Sequence, residues 1–78
     1  MIQDEILFLE RLFRIQERGT PTVLMMNPDN FAQLFEELGL EPDEELAVYH
    51  GMEIIVDEDN TVLWVGTMSQ LYMNYHKN

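Results

Sequence analysis

Few side chains in this sequence could do chemistry, and they do not converge. His50 and His76 are the only histidines, Ser69 is the only serine, and cysteine is absent. A serine nucleophile needs a base within hydrogen-bond reach, and nothing in the local sequence pairs one with Ser69. His76 is third from the end of the chain, where backbones fray, and His50 beside Gly51 reads as a strand residue. Asp57, Asp59 and Thr61 fit positions one, three and five of a calcium loop. Val62 stands where that loop needs glycine, and Met68 where it needs glutamate. The carboxylates show no spacing that marks an acid–base pair. These residues predict neither catalysis nor a metal nor a cofactor, and Asp57-Glu58-Asp59-Asn60 reads as a solvated turn.

The elements that would position any site follow from periodicity. Over residues 2–18, Ile2, Ile6, Leu9 and Phe13 form one row and Phe8, Leu12 and Ile15 the next. At about 100° per residue the two rows cover roughly half of a helix circumference, more than a helix resting on one surface needs. Leu7 falls outside that arc. Asp4 and Glu5 near the start and Arg14 and Arg18 near the end suit the helix dipole, Glu10 and Arg14 form an i, i+4 pair, and Gly19 stops the helix.

Val23-Leu24-Met25-Met26 is a short apolar run between two prolines and predicts a strand covered on both faces. Asn27-Pro28-Asp29 then starts a second helix, with Asn27 as cap and Pro28 in the first turn. Phe31, Leu34, Phe35 and Leu38 give it an apolar face, and Gly39 ends it. After an acidic connector, alternation from Ala47 to Val56, with Gly51 as a bend, and a further run at Thr61–Val65 predict a C-terminal β-hairpin. Thr67-Met68-Ser69-Gln70 has the form of a capping box and predicts a short helix, although alternation of Leu71, Met73 and Tyr75 also suits a strand. The expected fold is therefore α+β: two helices on one face of a small three-stranded mixed sheet with a C-terminal hairpin, and a core around Phe31, Leu34, Ile55 and Trp64.

Seventy-eight residues make one domain, residues 1–78, which buries only roughly 60% of the surface its unfolded chain would expose. Without cysteine, extra margin has to come from elsewhere, and a partner subunit is the available source. The acidic start lacks the basic stretch of a secretory signal, and no apolar run reaches membrane-spanning length. The expectation is a soluble cytoplasmic protein.

Charge is the most unusual feature. There are 15 acids and 4 bases, a net charge of −11, which disfavours direct binding to nucleic acid or to an anionic membrane. Arg11, Arg14 and Arg18 fall on one narrow stripe of the first helix, while residues 19–76 contain no Lys or Arg. That stripe, with Leu7, Leu9 and Phe13, is the expected partner-binding surface, and a second copy is the expected partner. Glu36, Glu37, Glu41, Asp43, Glu44 and Glu45 form an acidic patch; Glu53, Asp57, Glu58 and Asp59 form another.

Two stretches resemble tailed-phage major capsid proteins. Residues 21–31, PTVLMMNPDNF, followed by Leu34, resemble a segment in which a strand ends in Asn-Pro and enters a helix. Residues 49–57, YHGMEIIVD, resemble a later strand of the same subdomain. The likeness covers roughly half of the chain, which lacks the long backbone helix and extended loop of that family. It implies a related compact α+β subdomain and a phage origin, and no functional residues carry over. The functional expectation is a non-enzymatic interaction module that self-associates through its first helix, in the host cytoplasm if phage-encoded. The alternative is an acidic nucleic-acid mimic that inhibits a basic nucleic-acid-binding protein.

Overall fold

The computed structural model describes residues 1–59 and 62–75. The elements run α1 (Ile2–Glu17), β1 (Val23–Met26), α2 (Pro28–Leu38), β2 (Val48–Tyr49), β3 (Met52–Val56), β4 (Trp64–Gly66) and α3 (Met68–Tyr75). The chain is α+β with a mixed sheet, as its patterning predicts. The sheet has four strands rather than three, in the order β2-β3-β1-β4.

The expected C-terminal hairpin does not form. β3 and β4 lie on opposite sides of β1, which pairs parallel with β3 and antiparallel with β4. β1 is buried at all four positions, and an all-apolar strand gains most in the middle of the sheet. Taking that place, it displaces β4 to the edge. The hairpin that does form joins β2 to β3 through His50 and Gly51, both left-handed, with φ of 52° and 78°. Paired left-handed corners match the twist of the flanking strands. His50 is thus a turn residue, not a strand residue.

Register decides the core. Leu24 lies opposite both Ile54 and Val65, so these three share a face with Met26 and Met52. Ile2, Ile6 and Phe13 of α1 and Leu34 of α2 close over that face. Ile55 and Trp64 register with Met25, so they lie on the other face and not in the expected shared core. Leu34 is fully buried, and Phe31 packs partly buried against the cluster.

The helix ends show how local chemistry fixes the elements. Asn27 Oδ1 accepts the Asn30 N–H at 2.7 Å, and Gly39, at φ 72°, ends α2 with Leu40 N–H bonded to Phe35 O at 3.0 Å. The capping box of α3 is reciprocal. Thr67 Oγ1 accepts from Gln70 N–H at 3.2 Å, and Gln70 Oε1 accepts from Thr67 N–H at 3.0 Å. α1 stops one residue earlier than expected, with Arg18 itself left-handed at φ 53°. The connector over residues 40–47 forms turns, closed at one point by Glu44 N–H to Glu41 O at 3.0 Å, and contains no helix.

Candidate interaction surface

α1 divides its apolar residues between two environments. Ile2, Ile6 and Phe13 are buried in the core, and Leu9 packs against it. Phe8 is 64% exposed and Ile15 77%, with Leu7 and Leu12 also exposed. At about 100° per residue, Phe8, Leu12 and Ile15 form one stripe about a third of a turn from the core. Leu9 and Phe13 are therefore corrected from partner surface to core, because their row is the one that reaches the sheet. The row Phe8, Leu12 and Ile15 takes their place on the outer face.

Arg11, Arg14 and Arg18 are all exposed, beside this row. Leu7 lies among them. The expected Glu10–Arg14 pair does not form: Glu10 is buried, at 5% exposure, and its Oε1 lies 3.0 Å from His50 Nδ1. Glu10 follows Ile6 by four residues and precedes Phe13 by three, so helical geometry carries it to the core face. That spacing was the available signal, and an i, i+4 charge rule overlooks it.

A chain of polar contacts continues from this pair. The His50 ring stacks on Tyr49 with centroids 3.9 Å apart, and Tyr49 donates its hydroxyl to Gln3 Oε1 at 3.2 Å. Glu37 of α2 closes the first turn of α1, accepting from Ile2 N–H at 2.8 Å and from Gln3 N–H at 3.2 Å. Burial pushes the Glu37 carboxyl up, but the Ile2 and Gln3 backbone N–H bonds, the Gln3 side chain and the α-amino charge together hold it below the ordinary carboxylate value. Burial, and then the negative charges of Glu10 and Glu37, push the Tyr49 phenol up. Among the described residues no side-chain polar atom is buried without a hydrogen-bond partner. This network holds α1 to α2 and to the β2–β3 turn.

Glu37 is half-buried and turned toward α1, so it leaves the acidic patch in which the sequence placed it. Glu36, Glu41, Asp43, Glu44 and Glu45 remain exposed. On this side lies a groove of about 540 Å³ between α2, the connector and the end of β3. Phe31, Phe35, Leu40, Pro42 and Val56 line it, with Glu36 and Glu44 among its walls. The Phe31 and Phe35 rings are tilted at 58° with centroids 5.0 Å apart.

Of the described residues that could carry chemistry, His50 meets the Glu10 carboxylate. Ser69 is exposed on α3, and His76 and Thr61 lie outside the described residues. Asp57 Oδ1 accepts the Asp59 N–H at 3.0 Å, as in a solvated Asx turn. Among the described residues no three His, Asp or Glu side chains group as a metal site, and no helix is long and apolar enough to cross a membrane. No family model, curated protein or solved structure matches the chain.

Proposed function

We propose that this chain is a non-enzymatic interaction module that self-associates through the outer face of α1. The supporting observation is the stripe of Phe8 and Ile15, largely uncovered, with the partly covered Leu12 between them, in a domain whose core is already filled by the neighbouring row. An apolar stripe bordered by charge is the usual composition of a protein contact. The likeness of residues 21–57 to a capsid segment is the ground for assigning the module to a phage.

Magnitudes limit the strength of the contact. Complete burial of three such side chains contributes at most about 1.5–3 kcal/mol each. Association costs roughly 4–15 kcal/mol in lost freedom. The row alone therefore falls short of tight binding, and the contact must recruit further surface. A micromolar association is the expected range. The acidic-mimic reading needs the run from Glu36 to Glu45 as one continuous outer surface, and the commitment of Glu37 to α1 interrupts it. The α1 stripe has no such gap.

Sedimentation over 5–500 μM tests the proposal. The native chain should shift from monomer to larger species, and Phe8→Ser with Ile15→Ser should stay monomeric with unchanged helix content. A native chain that sediments as a monomer throughout, or a double variant that associates like the native chain, would refute it.

A further inference from the structure

The groove on α2 supplies the surface that the α1 stripe still requires. We propose that the outer face of α1 of one copy seats in the groove between α2 and residues 40–44 of a second copy, so that copies join head to tail. This rests on the self-association proposed above and specifies its geometry.

Shape, charge and position agree. From Phe8 to Ile15 the stripe runs about 10 Å along its helix, and from Pro28 to Glu36 the groove floor runs about 12 Å. The floor is aromatic and aliphatic, suited to Phe8, Leu12 and Ile15. Its walls carry Glu36 and Glu44, with Glu41 and Asp43 on the same connector. Such a rim selects a cationic, apolar partner. Within this chain the bases are Arg11, Arg14, Arg18 and Lys77; the three arginines border one side of the stripe, while Asp4 and Glu5 flank Phe8 at its start. A pairing of α1 with α1 would leave the acidic groove open.

A copy cannot fill its own groove. Glu37 marks the flank of α2 that faces α1. Ala32 and Glu36 line the groove on the other flank, about 100° further round the helix. The contact therefore joins two different patches. Unlike a two-fold pairing, such a contact leaves one free donor and one free acceptor after each addition, so copies form rings or open chains.

Two blocked variants separate the alternatives. Phe8→Asp with Ile15→Asp spoils the donor and leaves the groove intact. Ala32→Glu fills and charges the groove and leaves the donor intact. Each alone should associate at least tenfold more weakly than the native chain. Their equimolar mixture should form a species of two copies and stop there, because only one donor and one acceptor remain. Glu36→Lys with Glu44→Lys keeps the apolar floor and should also weaken association at least tenfold; it serves as the groove variant if Ala32→Glu loses its helical circular dichroism. If the groove variants associate like the native chain, or if the mixture stays monomeric, head-to-tail seating is wrong while self-association stands. A native chain that never associates removes both proposals.

Discussion

The Glu10 carboxylate of α1 lies 3.0 Å from His50 Nδ1 in the β2–β3 turn, and one partner is buried while the other is exposed. Two effects compete at His50. Its left-handed backbone suits asparagine better, which would stabilise by tenths of a kcal/mol. Its ring satisfies a buried carboxylate, and leaving such a group without its partner costs about 1–3 kcal/mol. The second effect is larger. His50→Asn should therefore destabilise the fold by about 1–3 kcal/mol at pH 7, and His50→Asn combined with Glu10→Leu should recover most of that loss. Urea unfolding decides the sign. A stabilised single variant would show that the turn outweighs the pair.

Glu37 sets an acid limit on α1. Its carboxyl is held below the ordinary carboxylate value by the N–H groups it accepts from, so the folded state favours its charged form. The stabilisation is complete above the unfolded carboxylate pKa and is lost as pH falls through the lower folded value. Glu37→Gln should lower the thermal midpoint at pH 7, and the gap to the native chain should shrink at pH 3. Melting curves followed by circular dichroism at both pH values test this. A gap that persisted unchanged at pH 3 would mean that the charge is not what Ile2 and Gln3 require.

Gly66 in β4 has no room for a side chain. A Cβ there would fall 2.5 Å from Trp64 Cη2 and 2.6 Å from Gln70 Oε1. Trp64 and Gly66 point to the same face of β4, so the indole lies across the glycine. Gly66→Ala should push the ring and Gln70 aside, cost about 1–3 kcal/mol and shift the emission of the only tryptophan. Unchanged emission and stability would show that the ring is not fixed there.

Salt should strengthen self-association. Two bodies of charge −11 with centres about 28 Å apart repel by roughly 18 kcal/mol in unscreened water. At 0.01 M salt the Debye length is about 30 Å and much of that repulsion survives; at 0.15 M it is about 8 Å and little remains. Arginine–glutamate pairs at the proposed contact would be close enough to persist. Raising salt from 0.01 to 0.15 M should move the sedimentation distribution toward larger species. The opposite trend would mean that local pairs dominate over net charge.

Local sequence determined much of the fold. Asn27, Pro28 and Gly39 bound α2, the Thr67–Gln70 box starts α3, and the four apolar residues of β1 require cover on both faces. These features act within a few residues, so spacing reveals them. Tertiary structure alone decided the rest. Whether Val62 to Val65 pairs with the strand just before it or with β1 depends on which strand occupies the centre, and no local pattern contains that choice. Of the two apolar rows on the first helix, periodicity cannot say which reaches the sheet; the placement of Ile2 and Ile6 over Leu24 and Met26 made the choice and left Phe8, Leu12 and Ile15 outside. Glu37 left the acidic run for the start of α1 because unpaired N–H groups 34 and 35 residues away came within its reach.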